Sequence, residues 1–296
     1  MTASTAATSP PIASRKGRVW VTWRYQPVIF HVASLLLLLH VLIAVAGPAI
    51  APFEPQQLLT GDTFSRPSPA HLLGTDNFGR DVFSRVVYGE RVVLLTALSA
   101  SLAAVLAGSL IGIASVQTGG WVDQAVNRTV DALMSIPPLI VALLVLSALG
   151  SGFLVMVVVV AALFTLRVAT VVRAATLGVI AEDFVTAAVL RGESSWSIVR
   201  RELLPNVAST VLVELSLRTG MAALFIGGLS FLGFGATPPT PEWGLMINEA
   251  RAYVTNAPWI VLSPSLALAS LVVALSLFTE GLSEALGLAA ARSREL

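Results

Sequence analysis

Ordinary catalytic groups are sparse in this sequence. Lys16 is the only lysine, so a phosphate-binding loop that ends in Gly-Lys-Ser or Gly-Lys-Thr cannot form. His31, His40 and His71 are scattered, and no His-Glu-x-x-His pair of zinc ligands occurs. Cysteine is absent, which excludes disulfides and thiolate metal sites. The chain is therefore not expected to bind ATP through a phosphate loop or to act as a metallohydrolase.

The most unusual charged residues are enclosed by apolar sequence. Such charges are costly in a bilayer unless they are paired or face water. The four residues concerned are Asp131, Arg167, Glu214 and Arg218. Glu214 and Arg218 have the i, i+4 spacing of an ion pair within one helix, and we interpret them as structural. The alternative is that the four charges serve a translocation path, as in a self-sufficient ion-coupled carrier.

The elements that must hold these residues are membrane-spanning helices. Hydrophobic residues make up 55% of the 296 residues and charged residues 12%, and the mean hydropathy is +0.83. This exceeds what a soluble core needs. A spanning helix takes roughly 20 mostly apolar residues, and six segments approach that length: 28–51, 91–117, 127–150, 153–177, 206–234 and 260–284. The sequence predicts an all-α membrane protein with six transmembrane helices.

The distribution of basic residues orients these helices. With both termini in the cytosol, eleven arginine and lysine residues lie inside and five outside, as the positive-inside rule favours. Residues 1–27 are then a cytosolic tail, with a signal peptide as the rival interpretation. The membrane domain covers 28–287, with an extracytoplasmic loop at 52–90, and 288–296 form a second cytosolic tail. A net charge of +1 without a basic patch argues against nucleic acid as a partner.

One polar, helix-forming island, residues 183–205, lies on the cytosolic side between two apolar stretches. Asp183 can cap a short helix, Gly192 breaks it, and Ser194 or the next serine can cap a second helix. Pro205 lacks a backbone donor and should end that second helix. The result is a bent knob that presents large apolar side chains, which predicts a partner protein.

An outer stretch, His71–Arg85, combines turn formers with apolar residues. Asp76 is predicted to form a turn and Asp81 to cap a helix. The apolar side chains that follow Asp81 predict a short helix lying flat on the outer membrane surface.

A second outer stretch, Leu229–Gly244, contains three prolines within residues 238–241. Prolines restrict the backbone, so this loop could hold Glu242 and Trp243 at a set place near the mouth of a pore. A stiff connection without any contact role is the alternative.

The third span is interrupted by Pro137 and Pro138. Each proline removes a helix donor, which predicts a kink near the inner interface. The kink could be a hinge or could be tolerated for packing alone, and the sequence leaves both open.

The island resembles the EAA loop of bacterial importer permeases of the ATP-binding-cassette superfamily. The residues that match this motif are Ala187, Ala188, Gly192, Leu204 and Pro205. Two positions depart from the motif. Thr186 stands where Glu is usual, and Glu202 stands where His or another polar residue is usual. The two outer stretches extend the resemblance, over residues 28–287, to the DppC/OppC branch, the second permease of dipeptide and oligopeptide importers.

This resemblance implies a type I importer fold with a cytosolic coupling-helix loop in a bacterial cytoplasmic membrane. The implied partners are a second homologous permease, two cytosolic ATPases that bind ATP and Mg²⁺, an extracytoplasmic peptide-binding protein, the peptide substrate and membrane lipids. Nickel or glutathione are alternative substrates in the same family. The implied ATPase-coupling residues are Phe184, Ala187, Ala188, Arg191, Gly192, Trp196, Arg200, Leu204 and Pro205. The candidates for a pore, gate or receptor contact are Asp76, Arg80, Asp81, Pro239, Glu242 and Trp243.

Overall fold

The structure, a computed structural model, describes residues 28–286, so the predicted tails lie outside the described residues. In chain order its α-helices are α1 (Val28–Ile50), α2 (Val82–Thr118), α3 (Gly120–Met134), α4 (Pro138–Leu149), α5 (Phe153–Ile180), α6 (Asp183–Leu190), α7 (Ser195–Ile198), α8 (Leu204–Phe231), α9 (Trp243–Ala250) and α10 (Trp259–Ala285). A π-helical turn, Val199–Leu203, joins α7 to α8, and a 3₁₀ turn, Arg251–Tyr253, follows α9.

Five segments are long and apolar enough to cross a membrane: α1, α2, α5, the continuous run from α7 through α8, and α10. The bent pair of α3 and α4 makes a sixth when it is counted as one span. Residues 28–286 contain helices and loops but no β-strand, and their β-structure is limited to an isolated bridge between Thr75 and Asp81. The predicted all-α membrane fold is confirmed.

The predicted kink in the third span is confirmed and is large, because α3 and α4 meet at 80°. Pro138 is at the start of α4, where a missing N–H leaves no intrahelical bond unmade. The helix before the kink begins at Gly120 rather than at residue 127. It is held against α5 by Asp123, whose Oδ1 accepts a 2.7 Å hydrogen bond from Arg173 Nε.

The centre of the bundle is the long contact between α2 and α5. A Cβ at Gly108 of α2 would lie 2.6 Å from Val168 Cβ, and one at Gly112 would lie 2.8 Å from the Ala169 carbonyl oxygen. Glycine is required for this approach, and small residues are the usual means by which membrane helices pack closely. α8 and α10 close over this pair, and α1 packs on α10 and on α2.

The start of α2 differs from the prediction. The helix begins at Val82 and continues to Thr118 without a break, so the outer loop covers residues 51–81 rather than 52–90. Val82 and Val87 are buried against the body of the protein instead of facing lipid headgroups. The predicted flat interfacial helix is therefore wrong, because α9 and α10 supply an apolar surface that the sequence alone did not reveal.

Candidate functional site

The island predicted to lie in the cytosol folds as two short helices bent at a glycine. α6 ends at Leu190, Gly192 adopts a φ of +78°, and Ser194 Oγ accepts a hydrogen bond from the Ser197 amide to start α7. The N-cap of α6 is Glu182, which makes no side-chain cap bond, so the predicted capping role of Asp183 is wrong. We call residues 183–203 the cytosolic handle, after the side of the membrane predicted for them.

The inner side of the cytosolic handle is locked to the bundle. Val185, Ala188, Ile198 and Leu203 are buried in one cluster with apolar side chains of α2, α5 and α8. Ala188 has no exposed surface and Ala187 is half-buried, so Ala188 cannot itself touch a partner. Its small side chain instead lets α6 pack closely against the spans.

The outer side of the cytosolic handle is apolar at its tip and basic around it. Leu190 is 82% exposed and Trp196 70%, and Phe184 is also exposed. The exposed residues around them are Arg191, Gly192, Arg200, Arg201, Leu204 and Pro205. Arg191 Nη2 lies 2.7 Å from Glu193 Oε1, and this hydrogen bond lowers the pKa of Glu193. The arrangement of large apolar anchors with a charged rim is typical of a protein interface.

Pro205 does not end the second helix as predicted. The chain passes through the π-helical turn, in which the Leu204 amide bonds to the Val199 carbonyl, and continues as α8. Asn206 Nδ2 donates to the Glu202 carbonyl at 2.6 Å, so a side chain supplies a donor next to the proline. The cytosolic handle and the fifth span are thus one continuous helical element after residue 195.

At the end of the bundle predicted to face outward, Asp76, Arg80, Arg85 and the half-buried Glu249 form an ionic cluster, which we call the outer clasp. Asp76 Oδ1 accepts from the Phe78 and Arg80 amides at 2.8 and 3.0 Å, and its Oδ2 accepts from Arg80 Nε at 2.6 Å. Glu249 Oε2, on α9, lies 3.3 Å from Arg80 Nη2 and 3.2 Å from Arg85 Nη2. The outer clasp ties the loop, α2 and α9 together.

The predicted helix cap at Asp81 is correct. Its Oδ2 accepts from the amide and the hydroxyl of Ser84, each at 2.8 Å, and its Oδ1 lies 2.9 Å from His71 Nδ1. His71 also stacks on Phe53. Asp81 is buried, and both of its carboxylate oxygens already have partners within the chain, so its side chain cannot contact a receptor or substrate in this structure.

Glu242 and Trp243 are also interior residues. The Glu242 carboxylate caps α9 by accepting from the amides of Gly244 and Leu245 at 3.0 and 2.8 Å, and burial raises the pKa of Glu242. Trp243 has no exposed surface, and its Nε1 donates to the Val86 carbonyl at 2.9 Å. Both side chains are thus buried within this chain, whereas Pro239 in the same loop is exposed, and a gate or receptor contact in this loop stays a prediction.

The structure does not gather the four intramembrane charges. Arg218 Nε lies 2.8 Å from Glu214 Oε2, and both side chains are buried, so the predicted intrahelical pair is present. Asp131 is exposed on α3 and accepts from Asn127 at 3.2 Å. Arg167 is exposed on α5. Among residues 28–286, no three His, Asp or Glu side chains converge as a metal site would require.

A family model described as "binding-protein-dependent transport system inner membrane component" matches residues 104–289, well over half of the chain. The chain belongs to this family. The match includes α5, the cytosolic handle, α8, α9 and α10.

Full-length relatives agree with this family. The chain is 35% identical over 285 residues to the glutathione transport system permease protein GsiD of Pectobacterium atrosepticum (strain SCRI 1043), covering 95% of each chain. GsiD of Escherichia coli O6:K15:H31 (strain 536) is 35% identical over 272 residues, 90% of this chain and 88% of that one. A Brucella suis biovar 1 protein provisionally named a peptide transport system permease is 36% identical over 257 residues, 87% and 86% of the two chains. This permease is therefore a multi-pass transport subunit of the peptide-importer type.

Two buried polar contacts of the permease escaped the sequence analysis. His40 Nδ1 lies 2.9 Å from Glu90 Oε2 and its Nε2 lies 3.2 Å from Ser270 Oγ, which joins α1, α2 and α10. Glu249 completes the outer clasp from 164 residues beyond Arg85. A His or Glu within apolar sequence signals that a partner exists, but nothing in the spacing identifies a partner on another helix.

Proposed function

We propose that this permease is one of two transmembrane subunits of an ATP-driven importer that carries short peptides across the bacterial cytoplasmic membrane. The relatives named above support the substrate class, since glutathione is itself a tripeptide and both names concern peptide transport. The cargo would pass between this chain and a second homologous permease, without covalent chemistry.

The observation that carries the proposal is the two-sided cytosolic handle. Its inner side is buried in the bundle, and Leu190 and Trp196 are largely exposed, Trp196 at an apolar groove that α2 and α8 also line. A cytosolic ATPase that grips this outer side would transmit its closure directly to α5 and α8. Rocking of these helices would switch a central cavity between outward and inward access. ATP and Mg²⁺ would be bound by two such ATPases and not by this chain.

The orientation that this requires places both termini in the cytosol, in line with the excess of basic residues on that side. The outer loop and Pro239 then face an extracytoplasmic binding protein. Asp76, Arg80, Asp81, Glu242 and Trp243 would shape that surface from beneath, and exposed side chains such as Leu72 and Phe78 would form it.

The test is to replace the exposed tip of the cytosolic handle by charge. Leu190→Asp and Trp196→Asp should each remove the ATPases from the complex purified through a tag on this chain, while the chain still inserts and retains the second permease. Leu72→Asp, which changes another exposed leucine on the opposite side, should retain the ATPases. Retention of the ATPases by both handle variants would refute the proposal.

The competing function is a self-sufficient ion-coupled carrier. The closed Glu214–Arg218 pair and the separation of Asp131 from it argue against this, because a relay needs connected groups. Proteoliposomes that contain this chain alone should show no uptake on an ion gradient. The complete complex, supplied in turn with a dipeptide, an oligopeptide, glutathione and a nickel chelate, would identify the cargo.

A further inference from the structure

Arg167 occupies an unusual position in α5. Fourteen residues of the helix precede it and thirteen follow it, which places it about 20 Å from either end at 1.5 Å per residue. Its side chain is exposed, and no hydrogen bond or ion pair to it occurs among residues 28–286. Arginines near the membrane surface can extend to the headgroups, but a residue at the middle of a hydrocarbon core roughly 30 Å thick lies about 15 Å from either boundary, beyond the reach of a side chain.

Two other arginines of the spans are paired within the protein. Arg218 is paired with Glu214 on its own helix, and Arg173, six residues after Arg167 on α5, is paired with Asp123 of α3. In both cases the protein provides the carboxylate. The guanidinium of Arg167 is a fixed positive charge with five donors, and a carboxylate is the group that matches its geometry.

The surroundings of Arg167 are those of an amphipathic site. The exposed side of α5 continues through Ala162 and Thr170, so a polar hydroxyl lies one turn toward the cytosol. One turn in the other direction, Leu163 lines a wholly apolar groove between α4 and α5. A cation beside an apolar groove is suited to a molecule that carries both a carboxylate and apolar groups.

We propose that Arg167 lies on the translocation path and binds a carboxylate of the transported peptide. A water-filled path removes the cost of placing this charge in hydrocarbon, and a passing carboxylate provides the missing partner. The inference rests on the proposed function, since it requires that a peptide crosses next to this chain. It assigns the permease a recognition role in addition to that of the binding protein.

The first test compares peptide acid with peptide amide. The complete complex with loaded binding protein is reconstituted in proteoliposomes, and a peptide that the wild type imports is offered with a free C-terminal carboxylate or as its C-terminal amide. Arg167→Gln should lower import of the acid about tenfold and leave import of the amide unchanged, because only the acid loses a charge-assisted bond. Arg167→Lys should fall in between, since lysine keeps the charge but not the planar fork. The same binding protein is used throughout, so its own preference for acid or amide is identical for the wild type and the variants.

Arg128→Gln, an exposed arginine on α3, is the matched control and should leave the acid-to-amide ratio unchanged. An equal fall of both substrates, or loss of the second permease from the purified complex, would show that Arg167 pairs with an acidic residue of another subunit. No change in either would show that it faces lipid. Either result would overturn the inference without affecting the proposed function, which depends on ATP-driven import by the wild type.

The second test needs no amide transport. The chain has no cysteine, so Arg167→Cys introduces a single thiol. In proteoliposomes this thiol should react with a small water-soluble thiosulfonate reagent, and peptide acid delivered by the binding protein should slow the reaction. Val158→Cys, on the exposed apolar part of the same helix, provides the comparison. A thiol at 167 that is unreactive, or whose reaction is unaffected by peptide, would contradict the inference.

Discussion

The outer clasp and the cytosolic handle lie at opposite ends of the bundle and differ in the burial of their side chains. In the outer clasp, Asp76, Arg80 and Arg85 are buried, and their charges meet one another or Glu249. In the cytosolic handle, Leu190 and Trp196 are exposed to solvent with nothing of the described chain to cover them. The charges of the first region are paired within this chain, although Arg85 Nη1 has no hydrogen-bond partner among residues 28–286, whereas the second region leaves its large apolar side chains uncovered.

This contrast indicates how the two ends differ in function. The ion pairs of the outer clasp hold α2, α9 and the outer loop together, because separating them would leave buried charges unpaired. Exposed apolar side chains on a short helix pair contribute free energy when another protein buries them. Changes in the outer clasp should therefore act on stability, and changes at the tip of the handle should act on association.

The largest effect is expected from Glu249→Ala. This change leaves Arg80 and Arg85 without their shared carboxylate and should destabilise the purified subunit by about 3 kcal/mol. Thermal unfolding in detergent measures it, with the exposed Glu54→Ala as the control. A melting temperature equal to that of the control would break the proposed contrast.

A smaller effect is expected where α9 packs against α8. A Cβ at Gly244 would overlap the carbonyl oxygen of Gly227, a backbone atom that cannot easily yield, so Gly244→Ala should cost about 2 kcal/mol. Gly228→Ala is the matched change, since no atom lies within 4 Å of a Cβ there. Equal melting temperatures for the two variants would mean that α9 is not tightly seated.

The Glu242 cap of α9 should contribute about 1 kcal/mol to the free energy of unfolding, and Glu242→Ala would remove this contribution. Glu242→Gln retains an acceptor and should cost less. Burial raises the pKa of Glu242, so the folded protein holds this proton more tightly than the unfolded chain. The stabilisation from protonation is present at low pH and declines as pH rises through the normal carboxyl range toward the raised pKa. Melting curves should therefore shift in favour of the glutamine variant as pH rises, and a shift the other way would contradict the burial.

The smallest effect on stability is expected at the tip of the handle. Trp196→Ala removes an exposed side chain and should change the free energy of unfolding of the isolated subunit by less than about 0.5 kcal/mol. The same variant should weaken binding of the ATPase at least about tenfold, as for an interface anchor. Titration of the purified ATPase against both proteins measures this, and a loss of stability without a loss of binding would reverse the comparison.

Local sequence patterns predicted most of the fold. Apolar runs located the spans, Pro137–Pro138 located the kink, and Gly192 located the bend of the cytosolic handle. Each of these depends on neighbouring residues only. The i, i+4 pair of Glu214 and Arg218 was predictable for the same reason.

Long-range contacts could not be predicted in the same way. The outer helix was expected to lie flat because Val82 and Val87 are apolar, and only the folded chain shows that α9 and α10 cover Val82 and that Val87 lies beside Gly47 of α1. Trp243 was expected at the surface because prolines precede it, yet it fills the space beside Gly89. Pro205 was expected to end a helix, and the π-helical turn accommodates it instead.

The most direct test of the account is cysteine crosslinking at the tip of the cytosolic handle. Since the chain has no cysteine, Leu190→Cys provides a unique thiol, and Leu72→Cys provides one on the opposite side. In membranes that contain the whole complex, a short bifunctional crosslinker should join Leu190→Cys to the ATPase, and Leu72→Cys should give no such product. Absence of an ATPase adduct at Leu190→Cys, or its labelling by an impermeant thiol reagent added outside, would contradict the account.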